Sequence, residues 1–125
     1  MLIMPDPNLT LQLLMQLDEA IQRIKWRFED IQTPEDFTCN RSGLDRLDGI
    51  AMMLIALGET VKRLDTLLDD SLSDRYPEID WTGIKGIRNI LAHAYFSIDP
   101  QEVYKICSTD LQPLETALNQ LRMEL

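Results

Sequence analysis

Leu44, Leu47, Ala51, Leu54, Ile55, Leu57, Val61, Leu64 and Leu68 recur at the three- and four-residue spacing that puts apolar side chains on one face of a helix. A stripe of this length constrains the fold strongly, because it must be buried against other helices. The pattern is not isolated. Leu9, Leu13, Leu17, Ile21, Ile24 and Phe28 keep the same period. So do Val103, Ile106, Leu111, Leu114, Leu118 and Leu121. No stretch alternates with the two-residue period of a strand over any length, so the sequence predicts an all-α protein.

Local signals divide the chain into helices. Pro5-Asp6-Pro7-Asn8 reads as a helix start, and the helix that follows is predicted to run to about Asp30, leaving residues 1–7 as a loose N-terminus. Thr33-Pro34-Glu35-Asp36 has the form of a capping box for a short turn ending near Cys39, and Ser42-Gly43-Leu44-Asp45 offers a second start, for the long helix. Asp69-Asp70-Ser71-Leu72-Ser73-Asp74 is the polar tail that ends it. After the turn Tyr76-Pro77-Glu78-Ile79-Asp80, Asp80 is placed to cap a helix opening at Trp81, with Ile84, Ile87, Ile90 and Leu91 as its buried stripe. Gly83 and Gly86 weaken that helix by roughly 1 kcal/mol each relative to alanine. Two glycines three apart mark either the close approach of another helix or simple tolerance. Asp99-Pro100-Gln101-Glu102 starts the last helical stretch. Pro113 must kink it, or sit in the first turn of a new helix capped at Asp110. The chain reads as a single domain over residues 1–125, an antiparallel bundle of four to five helices joined by short connections.

Charge and cysteine usage narrow the function. The chain carries 12 Lys and Arg against 21 Asp and Glu, a net charge of −9. General nucleic-acid binding rests on basic surface that releases counterions, which this composition lacks overall. It does not exclude an enzyme that holds one phosphate. Cys39 and Cys107 stand far apart without metal spacing, which fits a reduced cytoplasmic protein. With one histidine and no Cys-x-x-Cys, no metal or other cofactor is expected. No apolar run approaches the ~18 residues of a membrane span.

The segment that reads as chemistry is Arg88-Asn89-Ile90-Leu91-Ala92-His93-Ala94-Tyr95. It sets the only histidine between a guanidinium and a phenol. At ~100° per residue, Arg88 and Tyr95 share a helix face, Asn89 and His93 share another, and Arg88 lies ~140° from His93. Arginine and histidine can therefore grip one phosphate only if Arg88 reaches around the helix, if the helix ends near His93, or if a second subunit completes the site. An imidazole can take a proton from a ribose 2′-hydroxyl or give one to a leaving 5′-oxygen. A guanidinium offers bidentate bonds to phosphate oxygens and steadies transition-state charge. Asn89 is spaced to hold the imidazole. The same residues also fit a bland reading, with a structural histidine at a helix end, a solvated arginine and a Tyr95-Phe96 pair closing the core.

Arg88-x4-His93-x-Tyr95 resembles the signature of the HEPN superfamily in its HepT-like branch. Tyr76-Pro77-Glu78-Ile79-Asp80-Trp81 is similar to the YPEIPW stretch preceding that signature, Gly86-Ile87-Arg88-Asn89 to its G-M-R-N, Gly58-Glu59 to its I-G-E-A and Asp110-Leu111-Gln112-Pro113-Leu114 to its D-L-P-x-L. The resemblance spans about Leu9 to Leu121. It implies a helical bundle that dimerises around a shared cleft, and a metal-independent ribonuclease acting as the toxin of a toxin–antitoxin pair. The implied antitoxin is a minimal (MNT-type) nucleotidyltransferase that adenylylates the motif tyrosine. Carried over by position, His93 is the acid/base, Arg88 the phosphate ligand, Asn89 the polar support and Tyr95 the modification target. Asp48 and Glu59 fall on acidic family positions, able to orient Arg88 or His93 or to form ordinary ion pairs, and Lys85 is the nearest further cation. Met52 and Met53 stand where the family pattern has arginine, which removes cations from the site and suits core or a dimer interface. The alternative function is a non-catalytic subunit that docks to a nucleotidyltransferase.

Overall fold

The computed structural model describes residues 6–91 and 98–125, and every element in them is helix or turn. The chain is a helical bundle, as its periodicity dictates. The first helix, α1 (Pro7–Phe28), begins where Asp6 accepts a hydrogen bond from the Leu9 N–H at 3.0 Å and Pro7 takes the first helical position. Asp6 and Pro7 thus belong to the helix start and not to a loose terminus. Leu13, Leu14, Leu17, Ile21 and Ile24 form its buried stripe. The capping box at Thr33 is present and opens a 3₁₀ turn (Pro34–Phe37) that drives Phe37 into the core against Phe28, ring centroids 6.2 Å apart.

Asp36 closes that turn by accepting the backbone N–H groups of Gln32 at 2.8 Å and Thr33 at 3.0 Å. These two bonds hold its carboxyl below the usual range. A depressed acid stabilises the fold above its unfolded pKa near ~3.9 and loses that contribution as pH falls through the lower folded value. Asp36→Asn is therefore expected to be less stable than wild type at pH 7. In paired urea titrations the gap should close below about pH 4, and a gap independent of pH would contradict this account.

The long helix α2 (Arg41–Leu67) starts at Asn40, whose side chain accepts from the Gly43 N–H at 2.7 Å. The cap lies two residues before the Ser42 expected from sequence, because an amide oxygen at Asn40 reaches the third N–H of the helix as well as a hydroxyl would. Its end is sharp. Asp69 and Asp70 adopt left-handed φ values of 57° and 58°. Their N–H groups bond the carbonyls of Thr66 at 3.2 Å and Asp65 at 2.7 Å, a Schellman closure without glycine. A single helical turn, α3 (Leu72–Arg75), follows.

α1 and α2 run antiparallel, since Arg27 near the end of α1 lies beside Gly49 early in α2, and Arg46 pairs with Asp30 at 3.5 Å. The segment expected to be one helix from Trp81 is two, α4 (Trp81–Lys85) and α5 (Ile87–Leu91). Asp80 caps α4 through the Gly83 N–H at 3.0 Å, but Gly86 closes it after five residues with ψ at 9°. Two weak helix formers within one turn leave the break little opposed. Ile90 consequently stands 45% exposed and not in the core stripe.

Asp99 caps α6 (Pro100–Lys105), accepting from the Gln101 N–H at 2.9 Å. α6 passes through a π-helical turn (Ile106–Asp110) into α7 (Leu111–Met123). The π turn resolves the Pro113 question. One widened turn frees the carbonyl that the proline ring would otherwise strike, so Pro113 sits early in α7, and Asp110 makes no capping bond. α7 lies antiparallel to α1, with Glu115 bonded to Gln22 and Lys25 at 3.1 Å each.

Of the two readings of Gly83 and Gly86, tolerance holds, since a Cβ at either would meet only atoms of its own segment, and the close helix approach is at Gly58, on α2. A Cβ there would stand 2.6 Å from the Ile84 carbonyl oxygen of α4. That neighbour is backbone, so it can yield only if α4 moves as a unit. Gly58→Ala is expected to cost about 1–3 kcal/mol in urea denaturation, against a gain of the order of 1 kcal/mol for removing a mid-helix glycine. A more stable variant would show that the α2–α4 contact is looser than described.

Candidate active site

The local chemistry that positions α4 and α5 is built from the Tyr76–Trp81 stretch upward. The Trp81 indole N–H donates to the Tyr76 carbonyl at 3.0 Å, the two rings meet at 6.4 Å, and both side chains are buried. Burial, and next the charge of Glu124, push the Tyr76 phenol above its ordinary value, so it stays protonated. This motif anchors the chain before α4, and Gly58 then lets α4 and α5 lie directly on α2.

Arg88 and Asn89 follow on the exposed side of α5. The Arg88 side chain is 63% exposed, and its guanidinium stands 4.0 Å from a Glu59 carboxylate oxygen. Glu59 is also 3.9 Å from Lys62. An exposed pair at that distance is worth at most about 1 kcal/mol, and among the described residues it is the only ion pair that Arg88 makes. A guanidinium fork has the geometry to bind a carboxylate or a phosphate. Gly58-Glu59 thus acts as one unit, in which the glycine sets the helix distance and the glutamate meets the arginine.

The other residues to which the sequence pointed separate. Asp48 is exposed on α2, eleven positions before Glu59 and therefore ~16 Å away along the helix. Met52 is 63% exposed, whereas Met53 is half-buried against the core. Lys85 turns to Asp65, forming a short ion pair with a carboxylate only 4% exposed. The other oxygen of Asp65 accepts from the Leu72 N–H at 3.1 Å. Lys85 is thus engaged in structure and adds no second free cation beside Arg88. A signal for this was present, because Asp65 sits in the apolar register of α2 between Leu64 and Leu68. His93 and Tyr95 lie outside the described residues, as do the Arg88–His93 and Asn89–His93 relations inferred from helix geometry.

Among the described residues, no three His, Cys, Asp or Glu side chains converge so as to hold a metal ion. Burial pushes the Cys107 thiol up to about 12, which keeps it protonated and a poor nucleophile. No helix among the described residues is long and apolar enough to cross a membrane.

Comparison with known proteins places this arrangement in context. A protein family described as "Ribonuclease HepT-like" matches residues 17–121. The chain is 28% identical over 109 residues to a Thermococcus cleftensis protein named "Probable ribonuclease HepT", covering 87% of this chain and 92% of that one. It is also 28% identical over 57 residues to "Putative RNase MJ1380" of Methanocaldococcus jannaschii, covering 46% of this chain and only about half, 52%, of that protein. No solved structure matches.

Proposed function

The chain belongs to the ribonuclease HepT-like family, and from that premise we propose that it is a metal-independent endoribonuclease, the cytoplasmic toxin of a toxin–antitoxin pair. The observation that carries this reading is Arg88, an exposed guanidinium on a helix held against α2 at Gly58 and only loosely paired with Glu59. In the proposed reaction the ribose 2′-oxygen attacks the adjacent phosphorus and the bond to the 5′-oxygen breaks. His93 takes the 2′-hydroxyl proton or supplies one to the 5′-oxygen, while Arg88 binds the non-bridging oxygens. One imidazole cannot be base and acid at the same instant. A homodimer with two motifs facing one cleft would supply both, and the exposed Met52 is suited to such an interface.

The same reading gives Tyr95 to a nucleotidyltransferase antitoxin. Its phenol oxygen would attack the α-phosphorus of ATP, releasing pyrophosphate and leaving on Tyr95 an adenylyl group whose phosphate could compete with RNA for the Arg88 guanidinium. Asn89 and Glu59 would be the supporting residues, and Asp48, ~16 Å along α2 from Glu59, is left with His93 as the group it could orient. The test is cleavage of RNA by the purified chain in EDTA, with products ending in 2′,3′-cyclic phosphate or 3′-phosphate. A second reading, a non-catalytic subunit of a nucleotidyltransferase complex, is favoured by the engagement of Lys85 with Asp65, which leaves few cations for RNA. Absence of both cleavage and growth arrest on expression of the wild type would select it.

A further inference from the structure

Behind the Arg88 helix, a cavity of about 210 Å³ opens between α4–α5 and the α6–α7 stretch. Its floor is aliphatic, made by Ile79, Ile84, Ile87, Ile90 and Ile106. Among the described residues, its rim carries Glu78, Asp80, Glu102 and Asp110 against a single base, Lys105. Asp80 is committed to capping α4, but among the described residues Glu78, Glu102, Asp110 and Lys105 form no ion pair. Ile90, 45% exposed, is the one large apolar side chain of this lining left open to water. At ~100° per residue it lies ~160° around α5 from Arg88. Ile90 of the cavity and Arg88 of the candidate site are therefore on opposite faces of one helix.

We propose that this groove docks a segment of a partner protein that presents an aliphatic side chain flanked by cationic ones. The aliphatic group would fill the isoleucine floor, and Arg or Lys would meet the rim carboxylates. Charge selects the occupant. RNA and an anionic membrane surface would bring phosphates against a rim with an excess of carboxylates. A second copy of this chain would bring its own net charge of −9. A cationic and aliphatic peptide answers both the floor and the rim. Bound there, it would touch the helix that carries Arg88 without covering Arg88. Docking at this groove is independent of the ribonuclease reading, since binding alone reports it.

The experiment is a titration of the full chain, ¹³C-labelled at isoleucine methyls, with three end-blocked synthetic peptides alternating leucine with arginine, leucine with glutamate, and serine with arginine. The leucine–arginine peptide is expected to shift the methyl signals of Ile84, Ile87, Ile90 and Ile106 saturably, with the other two far weaker. In the double variant Glu78→Gln/Glu102→Gln, at one exposed and one half-buried carboxylate and with its fold checked by the same spectrum, the affinity should fall roughly tenfold or more. The proposal is overturned by absent saturation, by shifts centred on other isoleucines, by equal binding of the leucine–glutamate or serine–arginine peptide, or by unchanged affinity in the double variant.

Discussion

His93→Ala is expected to lower RNA cleavage by about a hundred- to ten-thousand-fold, the range for removing a general acid–base group. His93 is the only histidine of the sequence, the residue type whose unperturbed side chain changes charge nearest neutrality, so no second imidazole can take over its proton transfer. Arg88→Ala should reduce cleavage about a hundred- to thousand-fold, as for loss of a group that stabilises developing charge. Arg88→Lys should recover only part of this, because an ammonium keeps the charge but loses the planar fork. The arginine variants separate catalysis from folding. Arg88 is 63% exposed and its pair with Glu59 is 4.0 Å long, so its removal should alter stability by less than about 1 kcal/mol. Single-turnover cleavage alongside urea titration reads both quantities. Cleavage by purified His93→Ala at the wild-type rate would refute the acid–base assignment, whatever its stability.

Lys85→Met should cost about 3 kcal/mol, equivalent to a melting temperature lower by roughly 10 °C for a chain of this size. The cost comes from the group left behind. Asp65 is 3% exposed, so without the ammonium its carboxylate would keep only the Leu72 N–H as a partner. An uncompensated buried charge is more damaging than the loss of an exposed pair. Lys62→Met, which removes only a 3.9 Å contact between half-exposed partners, is the control and should change stability by less than about 0.5 kcal/mol. Equal effects of the two substitutions in differential scanning calorimetry would show that the Asp65–Lys85 pair does not hold α4 to α2.

The helical fold was largely legible, and the reason is local. Asp6, Asp80 and Asp99 each cap a helix through an N–H two or three residues away, and that geometry needs no information from the rest of the chain. Expectation and structure part where local signals compete. Asn40 and Ser42 are both good caps, and the helix starts at Asn40, with Gly43 packed against the backbone of the preceding 3₁₀ turn. Gly83 and Gly86 weaken a helix by composition, but whether it bends or breaks depends on what it rests on. At the candidate site, Arg88 and Asn89 stand exposed on α5 with Glu59 beside the arginine, and Lys85 points away.

By itself, then, the sequence determined the all-helical fold, the caps at Asp6, Asp80 and Asp99 and most of the apolar stripes that make a bundle, because hydrogen bonds within one turn and a 3.6-residue period are properties of neighbouring residues. Tertiary structure alone decided three things: that Gly58 is the contact glycine, that Lys85 serves Asp65, and that Ile90 faces an acid-rimmed groove on the far side of the Arg88 helix. Each depends on which helices meet and how closely, and a helix's own residues do not specify what will be packed against them.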